Sequence, residues 1–435
     1  MGIFNDSFPP TIDGVANAAV NYAKAIQKNH GRVVVATPWY PKIQDDYPFE
    51  VVRYPSIYIS KRIGYRAGYP FDPLVVKHLE KKKLDILHTH CPFVSTGLAR
   101  VLRAVTGAPI VFTYHTKFDI DIERRVESDT MRRAAVKFIL NNINACDDVW
   151  VVSEGAGENL RSLGYTGDYI IMQNGTDFAK GRATEEQIRE LEQSLGLAPE
   201  ETVFLFVGRM MWYKGVRLSI DGLAKAKEQG AQFKMIFVGE GMDRPDIMDY
   251  TAKLGLEENC IFTGAIRDRE LLRVYFSRAN LFLFPSTYDT NGIVVKEAAA
   301  CSCPSLLVEK SCAAEGITHD RNGILIEESI PSMTQALLAA CGDRGRLRRI
   351  GKTAAEEIYL SWDDAVEIAY QRYAHVLKNV PRKKDIIVPN RASIQRILRI
   401  MKQNYRRTVI QARRSYRTSE EKMRGRLEKL EDFWK

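Results

Sequence analysis

Short apolar runs alternate with longer amphipathic stretches along the first 178 residues of the chain. A continuous apolar run between polar residues is typical of a buried strand, and apolar residues at spacings of three and four indicate a helix. The apolar runs predict strands at residues 2–4, 32–37, 51–54, 84–89, 109–114, 149–153 and 169–173. Helices are predicted at residues 18–28 and 95–105. This alternation predicts βαβ units and a parallel sheet.

The second half of the chain repeats the alternation. Strands are predicted at residues 203–207, 234–238, 260–263, 281–284, 304–308 and 323–326, and helices at 216–229, 246–254, 268–277, 294–301 and 330–343. A length of 435 residues also favours two domains over one. We therefore expect an α/β protein with two doubly wound, Rossmann-like domains, residues 1–178 and 179–360, that face one cleft. The charged stretch 185–200 is interpreted as a helical linker region.

Two loops of the second half combine charges that suit an anionic ligand. Arg209 and Lys214 follow the first apolar run of this half, and Asp289 and Glu297 follow the run at 281–284. Ligands of open α/β sheets bind outside the carboxyl ends of the strands. Cations beside hydroxyl-binding acids fit a nucleotide-diphosphate sugar. Gly292 permits a close backbone approach. Solvated loop cations and a helix-terminal acid remain the alternatives.

The loops of the first half offer further polar groups. Gly14 opens a helix at whose N-terminus a phosphate could bind, although an ordinary βα turn is an equal alternative. His88, His90 and His115 come at the ends of two predicted strands. They lack a set of acidic or cysteine partners, so hydrogen bonds to a sugar or acceptor hydroxyl are favoured over a metal site. A structural role for His88 stays open.

Several features of the sequence disfavour particular classes of protein. Seven scattered cysteines favour reduced thiols in a cytosolic setting over a disulfide framework. The N-terminal residues lack the pattern of a secretory signal, and no apolar stretch reaches the about 18 residues of a membrane-spanning helix. The chain also lacks a G-x-G-x-x-G motif, which disfavours a dehydrogenase.

The net charge of +9 is concentrated at the C-terminus, where residues 381–435 hold 17 Lys or Arg against 6 Asp or Glu. Apolar residues within this segment recur at helical spacing, which predicts a basic amphipathic helix. Such a helix binds an anionic membrane, a nucleic acid or a partner helix. We favour the membrane, with no nucleic-acid partner, because the lipid acceptor inferred below gives a reason for it.

Several motifs together resemble one family. They are Gly14-Val15 after the first strand, His115 after Phe112-Thr113-Tyr114, Asn174-Gly175-Thr176-Asp177, Gly208-Arg209 with Lys214-Gly215, and the acid pair Asp289 and Glu297. Their combination over about residues 1–378 resembles the retaining GT-B glycosyltransferases of family 4. The chain is also similar, more weakly, to bacterial glycolipid synthases that glucosylate diacylglycerol.

The resemblance implies a role for each matching residue. Arg209 and Lys214 would bind the diphosphate, Glu297 the ribose, Asp289 the sugar hydroxyls, Gly14 the phosphate and His115 the sugar near the reacting carbon. The backbone at Ile266 and Arg267 would meet the base, and Asn291 and Gly292 would complete the donor site. His88 and His90 would lie on the acceptor side. The family usually has Glu where this chain has Asp289, so sugar preference or rate at that position is an open point.

The resemblance also implies the reaction and its setting. We expect transfer of a hexosyl group, glucose from UDP-glucose in the first instance, with retained configuration and without a cofactor or metal ion. A helix over residues 361–380 would cross back to the first domain. Diacylglycerol or another membrane lipid is the expected acceptor, at the cytoplasmic face of the plasma membrane. Alternatives are a soluble acceptor, a phosphatidylinositol-type mannosyltransferase, and a homologue that binds nucleotide sugars with impaired catalysis.

Overall fold

The computed structural model describes residues 1–11, 13–58, 66–69, 72–125 and 128–382. Its first part contains β1 (Gly2–Phe4), α1 (Gly14–Asn29), β2 (Val34–Pro38), β3 (Glu50–Tyr54), β4 (Ser56–Tyr58), β5 (Arg66–Gly68), α2 (Pro73–Lys81), β6 (Leu87–Thr89), α3 (Val94–Thr106), β7 (Ile110–Tyr114), α4 (Phe118–Arg125), α5 (Asp129–Ile143), β8 (Asp148–Val151), α6 (Glu154–Ser162) and β9 (Ile170–Ile171). Seven of these strands form one sheet in the order β3-β2-β1-β6-β7-β8-β9, and β4 pairs with β5 in a separate antiparallel hairpin.

The second part contains α7 (Glu185–Leu195), β10 (Val203–Val207), α8 (Val216–Glu228), β11 (Lys234–Val238), α9 (Arg244–Lys253), β12 (Cys260–Gly264), α10 (Arg269–Arg278), β13 (Leu281–Phe284), α11 (Ile293–Ala300), β14 (Ser305–Val308), β15 (Ile324–Ile326), α12 (Ile330–Gly342), α13 (Arg344–Glu357) and α14 (Trp362–Asn379). Its six-stranded sheet has the order β12-β11-β10-β13-β14-β15. Every neighbouring pair within the two large sheets is parallel. The expectation of two doubly wound α/β domains is confirmed.

Strand β10 shows why these apolar runs form central strands. All five of its residues are buried. Side chains alternate between the two faces of a strand, so Phe204 and Phe206 enter the hydrophobic core on one side of the sheet and Val203 and Leu205 enter the core on the other. A strand covered on both faces has no polar face, which explains the unbroken apolar run in the sequence.

The stretch interpreted as a linker belongs instead to the second domain. Helix α7 begins with a capping box between Thr184 and Gln187, and Ile188 and Leu191 are buried in that domain's core. Most charges of residues 185–200 lie on the outer face of the helix, whereas Glu192 is buried and pairs with Arg278. An apolar stripe of this kind is narrow, and the surrounding acids conceal it in the sequence.

Helix α14 returns from the second domain to the first. Ser361 caps its N-terminus, and Trp362, Val366 and Tyr373 pack into the first-domain core beside Tyr22. The Arg372 guanidinium donates two 2.8 Å hydrogen bonds to the Asp148 carboxylate of β8. The predicted crossing helix is therefore present.

Two sequence predictions concern membranes. Among the helices of the described residues, none has both the length and the apolar composition that a membrane span requires. The predicted basic amphipathic helix of residues 381–435 lies outside the described residues, apart from its first two positions, so its structure stays a prediction.

Candidate active site

The carboxyl ends of the two sheets meet through the loop that follows β13. The Thr290 hydroxyl donates a 2.6 Å hydrogen bond to the backbone oxygen of His115, which follows β7. The Asn291 side-chain amide donates a 2.7 Å bond to the Val152 oxygen, at the end of β8. Loops from both domains thus line one cleft, and the loop that carries Asp289 contacts the backbone of His115.

Lys214 and Asp289 are in direct contact at this cleft. Nζ of Lys214 lies 2.5 Å from Oδ1 of Asp289, and the lysine is 7% exposed. Gly215 has a φ of 76°, and a Cβ there would lie 2.2 Å from the Pro285 oxygen. The loops that follow β10 and β13 approach each other so closely that position 215 requires glycine. Their approach brings the Lys214 ammonium and the Asp289 carboxylate together.

Arg209 lies at the rim of the same cleft. Its side chain is exposed, and its guanidinium lies 5.9 Å from the centre of the Tyr213 ring. The backbone before it is tightly packed, because a Cβ on Gly239 would lie 1.8 Å from the Gly208 oxygen. Arg209 is therefore an exposed side chain on a tightly packed loop, which suits a group that binds an anion.

Helix α11 and the glycine before it carry further residues that are expected to bind the nucleotide sugar. Gly292 has a φ of 57°, and no side chain caps the helix N-terminus that follows it. The first amides of α11 can therefore meet ligand oxygens. Glu297, one turn later, is buried, and its carboxylate accepts a 2.7 Å hydrogen bond from Arg269. Burial raises the pKa of Glu297, and Arg269 opposes that rise.

The expected base and phosphate subsites are less enclosed. Ile266 is half-buried in the loop after β12, and Arg267 is exposed. Gly14 is exposed at the start of α1, with open space where a Cβ would stand. The Asp13 carboxylate already accepts a 2.7 Å bond from the amide of Ala16, so an acid occupies part of the helix terminus that a phosphate was expected to use.

The assignment of His88 to the acceptor side is corrected by its surroundings. His88 is fully buried, its Nε2 lies 2.7 Å from the Thr113 hydroxyl, and its Nδ1 lies 2.6 Å from the Tyr373 hydroxyl. Both ring nitrogens are thus engaged inside the first domain. His88 joins helix α14 to the sheet, which is a structural role.

His90 reaches the cleft only through His115. It is 1% exposed, and its Nδ1 lies 2.9 Å from Nε2 of His115. Burial lowers the pKa of His115 to about 3 and holds the pKa of His90 well below its ordinary value. Both imidazoles are therefore neutral near pH 7. His90 orients His115 and is too deeply buried to meet an acceptor itself.

The sequence did not indicate a role for several residues that contact the site residues or join the two domains. Arg269 binds Glu297, Lys296 donates a 2.5 Å bond to the Asn174 oxygen of the first domain, and Glu315 accepts 2.7 Å bonds from the amides of Glu154 and Gly155. Burial lowers the pKa of Lys296 to about 8. Each contact joins residues far apart in the chain, so no local sequence pattern predicts it.

The sequence disfavours a metal site at the three histidines. Within the described ranges of the chain, no group of three or more His, Cys, Asp and Glu side chains is arranged to hold a metal ion. The seven cysteines, all in the described part of the chain, are unpaired.

Comparison with known proteins places this geometry in a family. A model of the "Glycosyltransferase Family 4" domain matches residues 12–180, and a model of "Glycosyl transferases group 1" matches residues 187–357. The boundary between the two matches falls between the two sheets of the structure.

Individual relatives and structures agree with these matches. The chain is 26% identical to an alpha-monoglucosyldiacylglycerol synthase of Acholeplasma laidlawii over 76% of this chain and 85% of that protein. It is 25% identical to a D-inositol 3-phosphate glycosyltransferase of Nocardia farcinica, over 80% and 75% of the respective chains. A crystal structure of Anabaena Alr3699/HepE in complex with UDP-glucose superimposes with a TM-score of 0.67 at 18% identity, covering 87% of this chain and 100% of the other. With two parallel-sheet domains, a shared cleft and both family matches, the chain belongs to the group 1 and family 4 glycosyltransferases of the GT-B fold.

Proposed function

We propose that this glycosyltransferase moves a hexosyl group, with glucose from UDP-glucose as the first candidate, to a membrane lipid such as diacylglycerol with retention of configuration. The observation that carries the proposal is the ion pair of Lys214 and Asp289 at the cleft, where the loop that carries Asp289 is hydrogen-bonded through Thr290 to the backbone of His115. A cation for a leaving diphosphate and a carboxylate for the sugar hydroxyls are thus paired at one cleft.

The cations act on the leaving group. As the bond between the sugar carbon and the diphosphate oxygen breaks, negative charge grows on the diphosphate, and Lys214 and Arg209 stabilise it. The acceptor hydroxyl forms its bond to the same carbon on the same face, and its proton passes to the departing phosphate oxygen. Since Lys214 and Arg209 supply the positive charge, the proposed reaction requires no metal ion.

The other residues orient the donor. Glu297 accepts hydrogen bonds from the ribose, the backbone at Ile266 and Arg267 meets the base, and the amides after Gly292 meet phosphate oxygens. His115 is neutral at working pH, because burial lowers its pKa to about 3, so it serves as a hydrogen-bonding group to the sugar.

The lipid acceptor is supported by two considerations. The Acholeplasma relative is named for glucosylation of diacylglycerol, as is a second relative from Streptococcus pneumoniae. The 17 Lys or Arg of residues 381–435 would attract the chain to an anionic membrane, where such an acceptor resides. Peripheral association with the cytoplasmic face of the plasma membrane follows from the same proposal.

A soluble acceptor is the second candidate. It is supported by the similarity to the D-inositol 3-phosphate glycosyltransferase of Nocardia farcinica, which covers as much of this chain as the lipid synthases do. The two candidates share the donor site and differ only in what the first domain admits to the cleft.

The test is a screen of nucleotide sugars against acceptors, with products identified by mass. UDP-glucose, UDP-galactose and GDP-mannose are each offered with diacylglycerol in anionic vesicles, with phosphatidylinositol and with inositol phosphate. A hexosyl-diacylglycerol product supports the proposal, and a product formed only from inositol phosphate replaces it with the second candidate. Absence of any product with intact donor binding would support the impaired-homologue alternative.

A further inference from the structure

Arg269, the first residue of α10, contacts two carboxylates with one nitrogen. Its Nη2 donates to Oε1 of Glu297 at 2.7 Å and also to Oδ1 of Asp177. The guanidinium lies 4.2 Å from the centre of the Phe178 ring. Three contacts from two segments of the chain, residues 177–178 and helix α11, therefore hold the guanidinium in place.

The two acids, Glu297 and Asp177, lie in different parts of the fold. Glu297 lies on α11, behind the loop that carries Asp289. Asp177 follows Thr176, whose amide donates a 2.8 Å bond to the Leu360 oxygen, where the chain passes between the two domains. Arg269 thus joins the proposed ribose-binding acid to the crossover between domains, and it comes two residues after Arg267 of the proposed base subsite.

The protonation of Glu297 depends on the titratable groups that face it. They are Arg269 from α10, Asp177 from the segment before α7, and the Cys301 thiol at the end of α11. Burial and Asp177 both raise the pKa of Glu297, and Arg269 is the group that lowers it. The thiol stays protonated, because burial raises its pKa to about 12. Loss of Arg269 would remove the cation that pairs with the two acids, which favours protonation of Glu297.

We infer that Arg269 is a positioning residue for nucleotide binding, which holds the Glu297 carboxylate so that Oε2 accepts the ribose hydroxyls. This inference rests on the proposed function, because it assumes that a nucleoside diphosphate occupies the cleft. It adds a residue that no family motif of this chain contains. Because Arg269 bonds to Oε1, the other oxygen is the one assigned to the ligand.

The experiment measures binding of UDP and of 2′,3′-dideoxy-UDP by titration calorimetry between pH 6 and 8.5. The variants are R269Q, R269K, E297Q and the double variant R269Q/E297Q. R273Q is the matched control, because Arg273 lies one turn further along α10 and bonds to the Gly181 and Arg182 oxygens. UDP titrates in this range too, so the comparison uses the ratio of variant to wild-type Kd at each pH.

For R269Q we expect the UDP Kd to rise about tenfold or more at pH 6, and this loss to shrink as the pH rises. Dideoxy-UDP should bind R269Q and the wild type alike, since it lacks the hydroxyls that Glu297 would bind. The double variant should match E297Q, R273Q should match the wild type, and R269K should keep a wild-type pH profile because it retains the charge.

Two outcomes would overturn the inference while leaving the proposed function intact. One is an equal loss for UDP and its dideoxy form, and the other is a pH-independent loss that adds to that of E297Q. If R269Q does not fold, R269K is measured with the same two nucleotides, and equal losses again refute the role. Failure of the wild type to bind UDP, GDP or ADP would instead defeat the proposed function, and this inference with it.

Discussion

Nζ of Lys214 lies 2.5 Å from Oδ1 of Asp289, so the residue proposed for the diphosphate and the residue proposed for the sugar hydroxyls form one ion pair. The side chains are 9% and 22% exposed, which leaves the pair only partly screened by water. A charge-assisted hydrogen bond of this kind fixes the ammonium within the cleft. The pair therefore orients Lys214 before the leaving group develops its charge.

Loss of either cation should slow the chemical step. We expect Lys214→Ala and Arg209→Ala each to lower kcat by about a hundredfold or more, since each removes a group that stabilises charge on the departing diphosphate. Steady-state kinetics with the donor identified in the screen provide the measurement. Lys225→Ala is the control, because Lys225 lies on α8, is largely exposed and pairs with Glu228. Near-normal kcat in both cleft variants would remove this pocket from the mechanism.

Chelation should leave the activity intact. The proposal assigns the neutralisation of the diphosphate to Lys214 and Arg209, so a divalent cation has no necessary part in the reaction. We expect equal rates before and after treatment with EDTA. A complete loss that added magnesium or manganese restores would show that the phosphate chemistry has been assigned to the wrong groups.

The buried histidines should make the protein sensitive to acid. Burial lowers the pKa of His88, His90 and His115, the last to about 3, whereas an unfolded histidine titrates near pH 6.5. Below pH 6.5 the unfolded state binds protons that the folded state does not, so this stability is lost as the pH falls. The raised pKa of Asp6, about 6, acts in the opposite direction for one proton below pH 6.

His115→Asn isolates one of these titrations. The free energy of unfolding of the wild type should fall more steeply between pH 6 and 5 than that of the variant, by about 1.4 kcal/mol per pH unit. Urea unfolding at several pH values measures both slopes. Parallel slopes would mean that His115 titrates equally in the folded and unfolded states and is not held neutral by burial.

The C-terminal segment should determine membrane binding. A chain truncated after Val380 should fold and bind nucleotide sugar, because every helix and strand of the described residues ends before that point. It should lose affinity for anionic vesicles and activity on an acceptor held in a bilayer. Each basic residue near an anionic surface contributes about 1 kcal/mol, so added salt should weaken the binding steeply.

Vesicle co-sedimentation of the full-length and truncated chains at low and high salt checks this prediction, with neutral vesicles as the control for charge. Equal sedimentation of the two chains would contradict it. So would binding that does not depend on anionic lipid, and either result would favour the soluble acceptor.

The sequence predicted the central strands better than the elements around them. β10, β11 and β13 have the predicted bounds, because a strand buried on both faces leaves an unbroken apolar run. Helix α7 was interpreted as a linker because its few buried positions, such as Ile188 and Leu191, are surrounded by acids. Helices α2, α4, α5, α6 and α13 and the β4–β5 hairpin were not predicted, since their outward faces dilute the periodic signal.

The site shows a similar limit. The positions of Lys214, Asp289 and His115 at strand ends could be predicted, because parallel strands place their carboxyl ends along one edge. The sequence left the structural role of His88 as one of two alternatives, since that role depends on Tyr373, 285 residues away in the chain. The contact of Arg269 with Glu297 is likewise made only when α10 and α11 pack together.

The most direct test of the central claim is the anomeric configuration of the product. The enzyme is incubated with UDP-glucose carrying carbon-13 at the anomeric carbon and with diacylglycerol in anionic vesicles, and the glycolipid is examined by NMR. We expect an α-linked glucosyl-diacylglycerol whose labelled carbon keeps the configuration of the donor. A β-linked product would contradict the same-face transfer assigned to Lys214, Arg209 and the leaving diphosphate.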